Sequence, residues 1–160
     1  MVEGYSTDLY RYAAWLCGDR ALAEDLVQET FARAWRSLNS LQHNDAVKPW
    51  LFTLLRREYV RHCEYPRPTS ERLNANGAGD VGRYEINAEL AVLRRALAGL
   101  APEYREPLIL QVIGGFSCEE IAQFLSISPT AAMTRVFRAR KQLRDTVSDE
   151  RLRRSNKVMA

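Results

Sequence analysis

Between Tyr65 and Gly82 the chain cannot continue a helix. Pro66 and Pro68 lack the N–H that a helix interior uses, and Asn74, Asn76, Gly77, Gly79 and Gly82 favour turns. On both sides of this break apolar residues recur at helical spacing, and no run alternates with a period of two. A chain of 160 residues interrupted there holds two short helical stretches and has no room for a large multidomain enzyme. The prediction is therefore an all-α protein of two small helical domains joined by a flexible linker. Residues 1–64 form the first domain, 65–85 the linker and 86–145 the second domain, and 146–160 either prolong the last helix or form a basic tail.

In the first domain Leu9, Tyr12, Ala13 and Leu16 make one stripe, and Gly18 is suited to the left-handed position that ends a helix. Asp19 is placed to cap the next helix. Its buried face is expected to be Ala23, Leu26, Val27, Thr30, Ala34 and Leu38, with Arg20, Glu24, Asp25, Gln28 and Arg36 projecting elsewhere. Asn39 to Asn44 read as a polar connection. A third helix starts after Asn44 or Asp45, holds Pro49 in its first turn, and runs to about Cys63. It packs through Val47, Leu51, Leu54 and Leu55, with Thr53, Arg56, Arg57 and Val60 opposite. Trp50, Phe52 and Tyr59 are interleaved with Lys48, Arg56, Arg57 and Arg61. That mixture suits stacking on unpaired bases with the backbone held electrostatically, yet aromatics at helical spacing are more often core than base platform.

In the second domain Ile86, Leu90, Leu93, Leu97 and Leu100 follow an amphipathic period that ends at Ala101-Pro102. The next helix, about Glu103 to Ile113, carries Pro107, which predicts a 3₁₀-like start or a slight kink, and Gly114-Gly115 ends it. Ser117 and Glu120 then form an S-x-x-E capping box, and Cys118, Ile121, Ala122 and Leu125 face a core. Ser126-Ile127 is a short turn, and Ser128-Pro129 gives an N-cap followed by proline at the first helical position. Two short helices joined so tightly predict a helix-turn-helix. In the second of them Ala132, Val136, Ala139 and Leu143 form a narrow buried stripe. Residues 129–144 hold five basic side chains and no acidic one. The N-terminal part of such a helix enters the major groove, so Thr130, Ala131, Thr134 and Arg135 are candidates for base edges. Arg138, Arg140, Lys141 and Arg144 are placed for phosphates.

The net charge of +3 is unevenly spread: residues 128–160 hold nine basic and three acidic side chains, and the rest of the chain is slightly acidic. Such asymmetry is the footprint of an anionic partner. Glu24, Asp25 and Glu29 do not converge on one helix face, and His43 and His62 are isolated. No Gly-rich phosphate loop or nucleophile motif occurs, so neither a catalytic site nor a metal or cofactor is expected. Cys17, Cys63 and Cys118 are odd in number and far apart, which predicts reduced, structural thiols. The Met1-Val2-Glu3-Gly4 start lacks a basic and an apolar leader region, and no run is long enough to insert in a membrane. A cytoplasmic protein is expected.

The run Gly18-Asp19-Arg20-Ala21-Leu22-Ala23-Glu24-Asp25-Leu26-Val27-Gln28-Glu29-Thr30-Phe31-Ala32-Arg33-Ala34-Trp35 closely resembles region 2 of the extracytoplasmic-function (ECF) sigma factors of bacterial RNA polymerase. Lys48-Pro49-Trp50-Leu51-Phe52-Thr53-Leu54-Leu55 resembles that family's tryptophan-led helix. Leu100 through Pro107, continuing to Arg138-Ala139-Arg140-Lys141-Gln142-Leu143, resembles its region 4. The resemblance implies a promoter-specificity subunit with a region 2-like bundle and a region 4-like helix-turn-helix. It implies docking on the β′ clamp helices of core polymerase through Asp25, Leu26, Gln28, Glu29 and Phe31, with the β flap as a second polymerase partner. Recognition of the −10 element would fall to the loop about Asn39 to Asp45 and the following helix, through Asn44, Lys48, Trp50, Thr53, Arg56, Arg57 and Arg61. Recognition of the −35 element would fall to Ser128, Thr130, Ala131, Thr134, Arg135, Arg138 and Lys141. An anti-sigma factor is implied as regulator. The family often has Arg-Asn where Arg56-Arg57 stands and Thr-Val-Lys-Ser where Ala131-Ala132-Met133-Thr134 stands, so no promoter sequence is implied. A free-standing helix-turn-helix regulator, the rival reading, has no use for the acidic helix from Asp19 to Leu38.

Overall fold

The computed structural model describes residues 2–40, 47–65 and 88–160. The linker from Pro66, Ile86, the side chain of Leu90 and Asn44 of the −10 set lie outside the described residues. The described elements are helices, grouped in two compact units, residues 1–80 and 81–160.

The first unit is a three-helix bundle of α1 (Val2–Cys17), α2 (Arg20–Arg36) and α3 (Val47–Glu64), with a 3₁₀ turn at Leu38–Ser40. Gly18 ends α1 at φ +64°, its N–H donating to the Ala14 carbonyl at 2.9 Å. Asp19 then caps α2, Oδ1 accepting from the N–H groups of Ala21 and Leu22 at 2.9 and 3.2 Å. The core joins Leu9, Tyr12 and Ala13 to Ala23, Leu26, Val27, Thr30 and Ala34, and to Leu51, Phe52 and Leu55. Buried Thr30 satisfies its hydroxyl by donating to the Leu26 carbonyl at 2.6 Å.

The expected buried face of α2 is corrected at its C-terminal end. Helix α2 stops at Arg36, so Leu38 lies in the 3₁₀ turn, 48% exposed, instead of on the buried face. Phe52 is fully buried and stacks on Tyr12 with centroids 5.1 Å apart, so of its two readings it takes the core one. The three cysteines are free; Cys17 and Cys118 are half-buried, whereas Cys63 is exposed and so does not serve the packing expected of it. Burial pushes the Cys17 thiol above its ordinary range, and its S–H donates to the Ala13 carbonyl at 2.9 Å, so it stays protonated and poorly nucleophilic at neutral pH.

The second unit contains α4 (Ala88–Ala98), α5 (Pro102–Val112), α6 (Cys118–Leu125) and α7 (Pro129–Met159). Helix α4 buries Val92, Ala96 and, just past its end, Leu100, while Leu93 is 37% exposed. Of the expected leucine stripe, Leu97 and Leu100 pack in the core and Leu93 does not, while Val92 and Ala96 join the buried face. The Arg105 guanidinium donates to the Ala98 carbonyl at 3.2 Å and so satisfies one of the acceptors left open where α4 ends. Helix α5 opens with the N–H groups of Tyr104 and Arg105 both donating to the Ala101 carbonyl at 2.9 Å, a 3₁₀-type bond shared with an α-type one. Pro107 then sits buried inside a continuous α-helix.

The turn after α5 depends on glycine. Gly115 lies at φ +69°, and a Cβ on Gly114 would come within 2.5 Å of the Phe116 ring and 2.6 Å of the Leu110 carbonyl oxygen. That ring is itself fixed, stacked on Phe124 at 6.1 Å. Gly114→Ala is expected to destabilise the second unit by about 1–3 kcal/mol, read as a lowered thermal midpoint of that unit alone.

Candidate polymerase and nucleic-acid surfaces

The helix-turn-helix is built by its caps. Ser117 Oγ accepts from the Glu120 N–H at 3.2 Å while the Glu120 carboxylate accepts from the Ser117 N–H at 2.8 Å, the reciprocal box that the spacing predicted. Helix α6 closes at Ser126, a left-handed residue at φ 55°, with the Ile127 N–H donating to the Ala122 carbonyl at 3.0 Å. Ser128 Oγ accepts from the Ala131 N–H at 3.1 Å, and Pro129 opens α7. Ser128 is thus occupied as a cap, with its O–H still able to donate.

Helix α7 buries Ala132, Val136 and Ala139, half-buries Leu143, and turns its other faces outward. Thr130, Thr134, Arg138 and Lys141 are exposed; Ala131 and Arg135 are half-buried. The Thr134 hydroxyl donates back to the Thr130 carbonyl at 2.9 Å, leaving its oxygen free to accept. Exposed Arg140 also donates to Gln111 of α5 through its guanidinium and ties the two helices together. Met133 and Phe137, four residues apart, are both exposed, Phe137 at 70%. Met133 lies in the Ala131–Thr134 run that departs from the family pattern, and Phe137 falls with it outside the Ala132, Val136, Ala139 stripe. Apolar side chains on a recognition helix can meet a thymine methyl in the major groove.

In the first unit a groove of about 740 Å³ runs between α2 and α3. Asp25, Leu26, Gln28 and Glu29, four of the residues expected to meet polymerase, line it with Leu22 and Ala32. Leu26 is nearly buried and contributes floor, whereas Asp25 and Gln28 are exposed at the rim; half-buried Phe31 lies outside the lining. On the α3 side stand Glu58, Arg61, His62 and Tyr65.

The electrostatics of this groove were not anticipated. Glu58 is only 7% exposed, and its Oε1 lies 2.6 Å from Arg33 Nε and 3.6 Å from Arg61 Nη1; Arg33 also meets Glu29 at 3.2 Å. The available signal was an acid on the buried phase of α3, three residues after Leu55. Arg61, expected among the −10 residues, lines the acidic groove with its side chain 52% exposed.

The remaining −10 candidates divide. Helical phase puts half-buried Trp50 and Thr53 with exposed Arg57 on one face at i, i+3, i+7, beside half-buried Arg56. The Thr53 hydroxyl donates to the Pro49 carbonyl at 2.8 Å. Lys48 faces α1, its Nζ 3.6 Å from Asp8 and 6.0 Å above the Phe52 ring, so much of its charge is already met within the bundle. One more large side chain stands out on α2: Trp35, 75% exposed, in line with Gln28 and Phe31.

The Sigma-70 region 2 family matches residues 1–65, and the Sigma-70, region 4 family matches residues 90–143. The ECF RNA polymerase sigma factor SigM of Bacillus subtilis is 30% identical over 148 residues, 88% of this chain and 88% of that protein. SigL of Mycobacterium tuberculosis is 31% identical over 161 residues, covering 93% of this chain and 88% of that protein. SigE of Mycolicibacterium smegmatis is 33% identical over 153 residues, and this chain spans 59% of its length. Among solved structures, the sigma factor RpoE of Bartonella quintana, in complex with the anti-sigma factor NepR, superposes with a TM-score of 0.74 at 27% identity, covering 92% of this chain and 94% of that one. Among the described residues no helix is long and apolar enough to cross a membrane. With both regions matched in order and relatives spanned over most of their length, the chain belongs to the ECF RNA polymerase sigma factors, which are transcription initiation factors and not enzymes.

Proposed function

We propose that this chain acts in the cytoplasm as a dissociable promoter-specificity subunit, with the work divided between its two units. The carrying observation is their segregated chemistry: an acid-rimmed groove on α2 and α3, and a helix whose residues 129–144 are basic without an acid. Core polymerase docks its β′ clamp helices along α2 through Asp25, Leu26, Gln28, Glu29 and Phe31, and Trp35 extends that surface. Region 4 meets the β flap. The face of α3 with Trp50, Thr53, Arg56 and Arg57, together with Asn44, holds an unstacked base of the −10 element. The few kcal/mol of unstacking are offset by stacking and phosphate contacts.

In region 4 the N-terminal turns of α7 read the −35 element. Thr130, Ala131, Thr134 and Arg135 face base edges; Ser128, Arg138 and Lys141 meet phosphates. An anti-sigma factor holds the protein inactive, a reading supported by the likeness to an RpoE solved with NepR.

The two surfaces make separable predictions. Arg135→Ala is expected to cost about 1–3 kcal/mol of −35 recognition, a roughly 5- to 150-fold loss of initiation at the cognate promoter, with core binding unchanged. Asp25→Ala is expected to weaken core binding and leave duplex binding intact. Pull-down against core polymerase and gel shift on the −35 duplex distinguish them; one variant losing both activities equally would contradict the division.

A further inference from the structure

Over residues 129–144 helix α7 exposes two large apolar side chains, Met133 and Phe137. They do not serve the core, which takes Ala132, Val136 and Ala139 from this helix and leaves Met133 58% and Phe137 70% exposed. At about 100° per residue, Phe137 stands about 20° from Thr130 around the helix and Met133 about 40° further, on the side away from Arg135. Being four residues apart, the two adjoin as one ridge. It runs beside the exposed stripe of Thr130, Thr134 and Lys141. Thr134 and Thr130, three and seven residues before Phe137, are short, so the ring projects past them. At 1.5 Å per residue, Met133 and Phe137 lie about 6 and 12 Å from the start of α7. Both therefore belong to the turns that a major groove about 12 Å wide admits.

The charge of the helix changes along this ridge. Arg135 is the one ionised side chain between residues 129 and 137, and Arg138, Arg140, Lys141 and Arg144 follow. Met133 stands where the family often has Lys, so here an apolar side chain replaces a phosphate-seeking cation. In the major groove the apolar group on a base edge is the thymine C5-methyl; adenine, guanine and cytosine present hydrogen-bonding atoms. Covering those atoms with Met or Phe would leave them without partners. The unbranched, polarisable methionine chain adapts readily to a small apolar contact such as a methyl.

We propose that Met133 and Phe137 are specificity-determining residues that read thymine C5-methyl groups within the −35 element. This rests on α7 being the −35 reader, and the test separates the two. The full chain is titrated with a duplex carrying the −35 sequence that the holoenzyme selects, and with versions in which each thymine on either strand is replaced singly by deoxyuridine. That replacement removes one methyl and keeps every hydrogen-bonding atom. At one or two positions it weakens binding by about fourfold, the worth of one buried methyl. Met133→Ala and Phe137→Ala each bind the parent duplex more weakly by about that factor or more. Each also stops responding to deoxyuridine at a position where the unaltered chain responds. Met133→Lys loses the same response, and its slope of log K against log salt steepens by about 0.9, one phosphate contact. Both side chains are exposed and alanine favours a helix, so the thermal midpoint of the second unit is unchanged in the alanine variants.

An unaltered chain indifferent to every deoxyuridine overturns the inference, and so do variants that keep the full response or a selected element without an A·T pair. A loss confined to affinity for core polymerase also overturns it and would assign the ridge to a protein surface. Arg135→Ala is measured alongside. If it loses cognate preference while the Met133 and Phe137 variants behave as the unaltered chain does, methyl reading alone is wrong. If no variant changes duplex binding, the reading of α7 falls as well.

Discussion

Replacing Trp35 with alanine is expected to weaken binding to core RNA polymerase by about thirtyfold or more, the loss of a residue worth about 2 kcal/mol or above. The thermal midpoint of the first unit should hardly move, because this side chain is 75% exposed and supports no core. An indole buries about 150–250 Å² when covered, and tryptophan is among the residues that anchor protein interfaces. Its alignment with Gln28 and Phe31 on α2 places it on the face read as the polymerase surface. Titrating labelled protein with core polymerase measures the effect, with Asp25→Ala as the positive control. Unchanged affinity in Trp35→Ala, beside a loss in the control, would remove Trp35 from the interface.

The second large effect concerns stability. Arg33→Ala is expected to destabilise the first unit by about 2–3 kcal/mol and lower its melting midpoint by more than about 10 °C. The cause is Glu58, whose side chain is 8% exposed and would keep only Arg61, 3.6 Å away and half in water. Removing one partner of a buried pair strands a charge in a poor solvent; replacing both with apolar groups relieves it. The double variant Arg33→Met with Glu58→Leu is therefore expected to recover most of the midpoint. Calorimetry resolving the two units checks this. A midpoint for Arg33→Ala within about 2 °C of the parent, a shift typical of surface substitutions, would show that the pair does not hold α2 on α3.

What could be read from the sequence is what local chemistry decides. Gly18, Asp19, the Ser117/Glu120 box and Ser128-Pro129 each act within a few residues, so helix ends and the helix-turn-helix were visible without tertiary knowledge. The choice of face was less visible where two stripes compete. On α4 the leucine period is the larger signal and Leu97 and Leu100 follow it, yet packing also buries Val92 and Ala96 and leaves Leu93 exposed. Phe52 shows the same limit, since only the presence of Tyr12 on a neighbouring helix decides that it is core. The Arg33–Glu58 pair and the Arg140–Gln111 bond join distant segments, and no local pattern announces either one. The sequence leaves the length of α7 open because its C-terminal third has no apolar stripe; the ion pairs that hold it reach to α4.

The central claim is that this chain confers promoter specificity on a polymerase that lacks it. Its most direct test is to add the protein to sigma-free core RNA polymerase and map transcript starts on fragments of the source genome. The account predicts discrete starts that are absent with core alone and lost with Arg135→Ala. No stimulation of initiation, together with tight dimeric binding of the free protein to duplex DNA, would contradict it.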